Sequence, residues 1–390
     1  MTSTAFSESP ERQHLRKAVR EFTQESFGPE YFLAAAREDR RVTELWEGAA
    51  KLGYVGVNIA EEFGGGGGEL GDLAAVLEEM AAAGAPLLML VVSPAIVGTI
   101  IGDFGSDEQK QRWLPGIADG SAKYAFAITE ADAGSNSHKI VTTAYREEDG
   151  WRLTGNKTFI SGVDESSHIL VVSRTEDAKT GKLKPALFMV PTDSPGLVAQ
   201  QIDMGITLPE KQWTLFFDDV RLPKDALVGD EDAAISQLFA GLIPERIMAA
   251  SMALGSARLA MEAAIKYAKE RKVFNDTPIG AHQGIAFPLA EIHMEIEAAR
   301  LMVQKAAALH AAGDHMGAGE AANIAKYLAG EVSVRAVDQA IQTHGGNGLA
   351  REFGLVDMLA ASRLGRIAPV SREMILAFVA QFSLGLPKSY

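Results

Sequence analysis

The chain has 390 residues, 47% of them hydrophobic and 23% charged, which indicates a globular protein long enough for two or three domains. It contains no cysteine, so disulfides, thiolate metal sites and cysteine nucleophiles are excluded, and a reducing compartment, the cytoplasm, is expected. The formal net charge of −14 argues against nucleic acid or an anionic membrane as a partner, because both bind clustered Lys and Arg.

No membrane span is expected either. The most apolar stretch, residues 85–101, is interrupted by Ser93, Pro94 and Gly98 and is shorter than the roughly 20 residues that a transmembrane helix needs. We expect this stretch to form buried helices. The N-terminal residues have no apolar signal core, and acidic residues there argue against a transit peptide.

Residues 1–121 are predicted to form a helical domain. Apolar residues recur there at spacings of three and four, as in Leu15, Val19 and Phe22. A run of glycines from Gly64 to Gly68 continues to Gly71 and matches the G-x-G-x-x-G dinucleotide fingerprint. The strand–helix alternation of a nicotinamide-binding fold does not follow, so a flexible loop is the favoured interpretation.

Residues 122–232 are predicted to form an antiparallel β-barrel or sandwich. Short runs rich in β-branched and aromatic residues alternate there with turn signals such as Asp149-Gly150 and Gly155-Asn156. Residues 233–390 return to helical periodicity, with Pro244 placed to start the first helix and Ile247, Leu254, Met261 and Ile265 on one stripe of it.

Further helices are predicted near 283–311, 318–343 and 370–384, with glycines between them. Four long helices with short connections indicate an antiparallel four-helix bundle. The predicted fold class is therefore α+β, with an N-terminal helical domain, a central β domain and a C-terminal bundle.

Two segments of the β domain have the residue types of a ligand site. The strand that starts at Tyr124 runs into a loop of small residues and hydroxyls that includes Thr129 and Ser135. Such a loop suits a flat polar ring or a phosphate, although an ordinary strand end is an equally good interpretation of this segment alone. Phe159 and Ser161 lie two residues apart on a strand, so one could stack on a ring while the other hydrogen-bonds its edge.

Together these segments resemble motifs of the FAD-dependent acyl-CoA dehydrogenase family. YAFAITEADAGSN and NKTFISG look like the family's TEP-x-AGSD and W-I-T/S motifs. The resemblance continues in family order with PER at 244–246, ERKVF at 270–274, HQ at 282–283 and QTHGGNG at 342–348. It covers the chain from about residue 50 to its end, and the family's fold agrees with the order of domains predicted above.

The resemblance implies FAD as cofactor, with Ser161 near flavin N5 and Thr129 near the pyrimidine edge. The residues expected to line the isoalloxazine are Phe126, Ile128, Thr129, Gly134, Ser135, Phe159, Ile160 and Ser161, and Ser371 is also assigned to the cofactor. The residues expected to hold the pyrophosphate and adenosine across a subunit boundary are Arg271, Phe274, Gln283, Gln342, Gly345 and Gly346. Arginine suits a diphosphate and glycine permits close backbone approach, but Arg271 taken alone could be a solvated cation at a helix end.

A boundary of this kind implies a homotetramer or homodimer. The family's reaction implies an acyl-CoA substrate, a trans-2-enoyl-CoA product, a role in fatty acid β-oxidation and an electron-transfer flavoprotein as acceptor. A carboxylate must take the α-proton while a hydride leaves Cβ.

Most family members carry this base in an I-Y-E-G-T segment, where Pro369 stands in this chain, within Ile367-Ala-Pro-Val-Ser371. A minority place it on the first bundle helix, at a position that matches Glu245, and we assign the base to Glu245. Its predicted place in a first helical turn favours the anion, whereas an apolar pocket would raise its pKa, and the sequence does not decide between them. Arg246 and Ser135 are the predicted substrate-side residues.

Other reactions have weaker support. The eight histidines form no credible metal set, and no Gly-x-Ser-x-Gly elbow is present. The alternatives that stay open are a flavin oxidase or monooxygenase with the same fold, and a non-catalytic flavin- or CoA-binding protein, which the proline at 369 makes conceivable.

Overall fold

The computed structural model of the chain describes residues 8–177, 180–229 and 234–388, with the backbone alone for 234–239. The predicted boundary between residues 232 and 233 lies outside these ranges. No helix in the described ranges is long and apolar enough to cross a membrane.

The N-terminal part is helical, as predicted. Its helices are α1 (Pro10–Ser26), α2 (Gly28–Arg37), α3 (Thr43–Lys51), α4 (Leu70–Ala82), α5 (Thr99–Phe104) and α6 (Asp107–Ala118). Ser9 caps α1 by accepting from the Arg12 N–H at 3.2 Å, and Ser106 and Gln109 form a capping box at the start of α6. The apolar stretch before α5 is buried and helical as expected, with a π-helical segment at Val91–Gly98 around Pro94.

The glycine run forms a loop, but its backbone is held by hydrogen bonds rather than free. The Gly66, Gly67 and Gly68 N–H groups donate to Gly56, Ile59 and Val57 carbonyls at 2.8–3.0 Å. A Cβ at Gly65 would lie 2.1 Å from the Ile59 carbonyl oxygen, so glycine is needed for this close approach. The residues before the run form turns instead of a strand, which excludes the dinucleotide interpretation.

The central part is one curled seven-stranded sheet with the order β1-β4-β2-β3-β7-β6, in which β5 pairs with β4. The strands are β1 (Tyr124–Ala127), β2 (Thr143–Glu147), β3 (Gly150–Ser161), β4 (His168–Glu176), β5 (Leu183–Pro191), β6 (Leu197–Ile202) and β7 (Gln212–Pro223). The prediction of a purely antiparallel domain is wrong in one respect, because β4 runs parallel to both β1 and β2.

The predicted turn at Gly155-Asn156 is also wrong, since both residues lie inside β3. Gly155 has φ +145°, and a Cβ there would lie 2.6 Å from the Thr142 Cα. This glycine therefore serves a close approach of neighbouring strands at a register shift between β3 and β7.

The C-terminal part is the predicted helical bundle. Its helices are α7 (Ala234–Glu270), α8 (Gln283–Ala311), α9 (His315–His344), α10 (Leu355–Ile367) and α11 (Arg372–Phe378), with a short hairpin of β8 (Lys272–Val273) and β9 (Thr277–Pro278). The helix predicted at 370–384 is confirmed over residues 372–383, because α11 continues into a π-helical segment at Val379–Ser383, and α10 is a further helix that the sequence did not predict.

Pro244 does not start the first bundle helix, because α7 begins at Ala234 and passes through it. Packing against neighbouring helices outweighs the hydrogen bond that proline removes. Ile247, Leu254 and Met261 are buried as predicted, whereas Ile265 is 37% exposed.

Buried charges join the N-terminal helices to the bundle. Arg16 of α1 and Arg258 of α7 both contact Glu78 and Glu79 of α4, at distances of 2.7–3.0 Å. One continuous apolar core also runs through the N-terminal helices, the inner sheet face and the bundle. The N-terminal helices, the sheet and the bundle are therefore packed into one unit, and any cavity between them has walls that are fixed relative to one another.

Candidate active site

A large cavity lies where the N-terminal helices, the sheet and the bundle meet. Its volume of about 2290 Å³ exceeds the 300–1,000 Å³ that is usual for a single small ligand, so it has room for a cofactor together with a substrate. The predicted site residues that line it are Phe126, Ile128, Thr129, Gly134, Ser135, Phe159, Ile160, Ser161, Glu245, Arg246 and Ser371.

The two β-domain motifs form one wall. The Thr158 N–H donates to the Thr129 carbonyl at 2.9 Å, which places the loop after β1 beside the end of β3. A register shift between Lys157 and Ile160 puts Phe159 at φ +57° and leaves its ring 57% exposed. An exposed aromatic ring beside hydroxyl groups suits a flat heterocycle.

Gln212 adds a group to this wall that the sequence motifs did not reveal. Its side chain lines the cavity and hydrogen-bonds the Ser161 hydroxyl, with Ser161 Oγ 2.9 Å from its Nε2 and 3.1 Å from its Oε1. The two residues face each other across β3 and β7. This hydrogen bond fixes the Ser161 side chain. The sequence could have indicated Gln212 only through the register in which β3 pairs with β7.

A buried ion pair holds the wall from behind. Lys157 Nζ lies 2.8 Å from Glu130 Oε1 and donates to the Ile128 carbonyl at 2.9 Å, and the Glu130 carboxylate also accepts from the Val141 and Thr142 N–H groups. Burial opposes the charge on Glu130, but these hydrogen bonds outweigh it and lower the pKa of the carboxyl. Burial lowers the pKa of Lys157 to about 8.

Glu245 stands on the opposite wall. The side of α7 that faces the cavity carries residues three and four apart, among them Leu242, Glu245, Ala249 and Met252. Glu245 is half-buried, and within the described residues its carboxyl has no hydrogen-bond partner. Burial raises the pKa of Glu245 to about 7, against the charges of Arg246 and Lys326, which lower it.

Glu245 lies well inside α7 and not in its first turn. Because α7 begins at Ala234, Glu245 is about three turns into the helix, where the dipole of the helix terminus has little effect. Desolvation therefore dominates the pKa of the carboxyl. Burial also lowers the pKa of Arg246, but a guanidinium stays charged at neutral pH.

The loop between α10 and α11 completes this part of the cavity. Pro369, Val370 and Ser371 line it, and the buried Lys326 of α9 donates from Nζ to the Val370 carbonyl. The Ser371 hydroxyl accepts from the Met374 N–H at 3.3 Å and caps α11. Ser371 is thus in the cavity wall, with its hydroxyl engaged in a helix cap.

The remaining predicted cofactor residues lie elsewhere. Arg271, Phe274, Gln283, Gln342, Gly345 and Gly346 are all exposed and do not line the cavity. Tyr267 stacks on His344 with ring centroids 4.2 Å apart and accepts from the Asn347 amide at 3.1 Å, so the ends of α7 and α9 meet. Within a single chain, these residues therefore lie outside the cavity wall that carries Phe159 and Ser161.

The cavity fits a flavin cofactor on its own chemistry. It offers an exposed aromatic ring and fixed hydroxyls, and a Cβ at Gly134 would meet no atom within 4 Å, which leaves room for close backbone approach. No group of three or more metal-binding side chains occurs among the described residues.

A helical domain, a curled sheet and a helical bundle around a cavity of this kind are the architecture of a flavin-dependent oxidoreductase. The chain belongs to the acyl-CoA dehydrogenase family: residues 9–121 match the family's N-terminal domain, 125–220 its middle domain and 236–384 its C-terminal domain. The predicted family, fold class, enzyme class and FAD cofactor are thereby confirmed.

Relatives agree over the full length. Acyl-CoA dehydrogenase FadE12 of Mycobacterium tuberculosis is 61% identical over 390 residues, covering 100% of both chains. Probable acyl-CoA dehydrogenase YngJ of Bacillus subtilis is 33% identical, covering 96% of this chain and 98% of its own.

Solved structures give the same result. Butyryl-CoA dehydrogenase from Megasphaera elsdenii aligns with a TM-score of 0.88 at 27% identity over 95% of this chain and 97% of its own. A glutaryl-CoA dehydrogenase from Mycobacterium smegmatis in complex with FADH2 aligns with a TM-score of 0.88 at 25% identity, over 98% and 96%.

Proposed function

We propose that the protein oxidises the Cα–Cβ bond of an acyl-CoA thioester to the trans-2-enoyl-CoA, with Glu245 as the base. The state of one cavity-lining carboxyl supports this most: Glu245 has no hydrogen-bond partner among the described residues, and burial raises its pKa to about 7. The other wall position where the family resemblance would place the base is occupied by Pro369, which has no proton acceptor.

The Glu245 carboxylate takes the pro-R α-proton, and the electrons of the broken Cα–H bond form the new double bond to Cβ. Bound FAD supplies the acceptor for the hydride that leaves Cβ. A carboxylate with a pKa near 7 is a stronger base than an ordinary glutamate and is still ionised in part of the population at neutral pH. The cationic Arg246 beside it, which we assign to the substrate side, favours this ionised form.

The cavity wall formed by the loop after β1 and the end of β3, here called the flavin wall, is proposed to orient the isoalloxazine ring of FAD. Phe159 supplies an apolar face, and Ser161, fixed by Gln212, and Thr129 supply polar edge contacts. The exposed cluster that includes Arg271, Gln283 and Gln342 is proposed to bind the pyrophosphate and adenosine of a neighbouring subunit, in a homotetramer or homodimer. These residues are exposed and do not line the cavity of their own chain, which supports this arrangement.

We further propose an electron-transfer flavoprotein as acceptor, a role in fatty acid β-oxidation and a cytoplasmic location. These follow from the family and not from the geometry of the site. Peroxide formed from acyl-CoA and oxygen without any other acceptor would instead identify a flavin oxidase of the same fold.

Anaerobic reduction of the holoenzyme by acyl-CoA tests the base. Glu245→Gln is expected to slow the bleaching of the flavin by at least about a thousandfold, because the amide cannot accept the α-proton. Glu262→Gln, at a half-exposed glutamate on the same helix that pairs with Arg20, is the matched control and is expected to bleach at the parent rate. Bleaching of Glu245→Gln at the parent rate would refute the assignment.

A further inference from the structure

The cavity wall contains a second buried carboxyl that the proposed reaction does not use. Glu210, just before β7, is 5% exposed and lines the same cavity as Glu245. Its Oε1 accepts from the Leu88 N–H at 2.8 Å, whereas its Oε2 is buried and has no hydrogen-bond partner among the described residues.

The helical side of the cavity, from which Leu88 donates to Glu210, is apolar. Val91, Val92 and Ile96 line the cavity on this side and are at most 7% exposed. The charges of Glu165 and Lys123 act on Glu210 in opposite directions, and these two residues form an ion pair with each other. Burial, with the Glu165 charge in addition, raises the pKa of Glu210 to about 7.

Glu210 is also close to the place where the chemistry is proposed. It is two residues from Gln212, the partner of Ser161, and the adjacent Lys211 carbonyl accepts from the Gly162 N–H at 2.9 Å. A Cβ at Gly162 would lie 2.3 Å from Met89 Sδ, so the apolar segment beginning at Leu88 packs directly on the end of β3. The carboxyl therefore lies where this segment meets the wall proposed to hold the flavin.

A buried polar atom without a partner is rare and costs free energy, so it needs an explanation. The bond to the Leu88 N–H uses only one of the two oxygens of Glu210, so the second oxygen is left for another partner. A ligand in the cavity that hydrogen-bonds this part of the side chain would explain why a polar group is buried there.

We propose that Glu210 recognises an uncharged oxygen substituent, a hydroxyl or a keto group, on the acyl chain of the substrate. This inference rests on the proposed function, because it assumes that an acyl thioester occupies the cavity. A neutral carboxyl donates to either oxygen and an ionised one accepts from a hydroxyl. An acyl chain that ends in a carboxylate is disfavoured when Glu210 is ionised, because the two anions then repel each other.

The test compares acyl-CoAs of equal length, plain or with a hydroxyl or keto group at successive carbons beyond Cβ, and one with a terminal carboxylate. Calorimetry gives the affinity for the holoenzyme, and anaerobic flavin reduction gives the rate. The native protein is expected to prefer at least one oxygen-bearing chain over its plain parent. Glu210→Leu is expected to lower that preference about tenfold, the effect of one good hydrogen bond, and Glu210→Gln to retain most of it.

Asn58→Leu is the control, because Asn58 also has a buried oxygen without a partner among the described residues but does not line the cavity. It is expected to leave the preference unchanged. The inference is overturned if the native protein does not prefer any oxygen-bearing chain over its plain parent. It is also overturned if Glu210→Leu shows the same preference as the native protein. In either case Glu210 serves only the contact with Leu88. If no acyl-CoA reduces the flavin while the Glu210-dependent binding preference persists, the proposed reaction is wrong and the recognition stands.

Discussion

Glu245 of α7 and Pro369 of the loop between α10 and α11 line one cavity from two different elements. The buried Lys326 connects the two regions, since it donates to the Val370 carbonyl and its charge acts on Glu245. A carboxylate on either element could therefore approach the same ligand. A separate feature, the buried ion pair between Lys157 and Glu130, supports the opposite wall of the cavity.

The rate of flavin reduction should depend on the ionisation of Glu245. Its pKa is raised to about 7, so the carboxyl is protonated and inactive below that pH and becomes a base above it. Reduction rates measured anaerobically from pH 5.5 to 8.5 are expected to rise about tenfold per unit below pH 7 and to level off above it. A flat profile over this range would show that another group takes the proton.

Lys326 should help to set that midpoint. Its positive charge lowers the pKa of Glu245, as does that of Arg246, and its own pKa is lowered to about 8 by burial and by Arg246, against the charges of Glu245, Glu331 and Glu373. Lys326→Met is expected to move the midpoint of the rate profile upward by about one unit, whereas Lys326→Arg keeps the charge and the lower midpoint. If the native protein, Lys326→Met and Lys326→Arg all show the same midpoint, the charge of Lys326 does not affect Glu245. Lys326 then serves only its hydrogen bond to the Val370 carbonyl.

The catalytic glutamate should be transferable from position 245 on α7 to position 369 in the loop between α10 and α11. Glu245→Gln combined with Pro369→Glu is expected to bleach at least about tenfold faster than Glu245→Gln alone, because position 369 lines the same cavity. Single-turnover reduction by acyl-CoA measures both proteins. No gain in the double variant, with flavin content equal to that of the single variant, would mean that position 369 does not reach the α-carbon.

The ion pair between Lys157 and Glu130 should be needed to hold FAD. Lys157→Met leaves a buried carboxylate without its cation and is expected to cost about 3–5 kcal/mol of stability and much of the bound flavin. Arg152→Met, which breaks a more exposed pair on the same strand, is the control and should cost less than about 1 kcal/mol. Thermal unfolding and the ratio of flavin to protein measure the two effects, and equal losses in both variants would contradict the prediction.

Sequence reasoning could single out the candidate cofactor residues of the β domain that line the cavity, because they lie in short, continuous segments. Thr129 and Ser135 follow one strand and Phe159 and Ser161 end another, so their local patterns carry most of the information. The proposed roles of Gln212 and Glu210 were not predicted, because they depend on the pairing of β3 with β7 and on a contact with Leu88, 122 positions away in the chain. No local pattern indicates contacts of that kind.

The sequence by itself determined the order of the three parts, since helical and strand periodicity are local, and it determined the type of chemistry, since the motifs occur together in one order. Only the tertiary structure decided the electrostatic state of Glu245. Proline at 244 predicted a helix start, whose dipole would favour the anion of Glu245, but α7 continues through Pro244, and burial of the carboxyl raises its pKa. The desolvation of Glu245 depends on how much water each neighbouring layer removes from the carboxyl. It is therefore set only when the layers pack together.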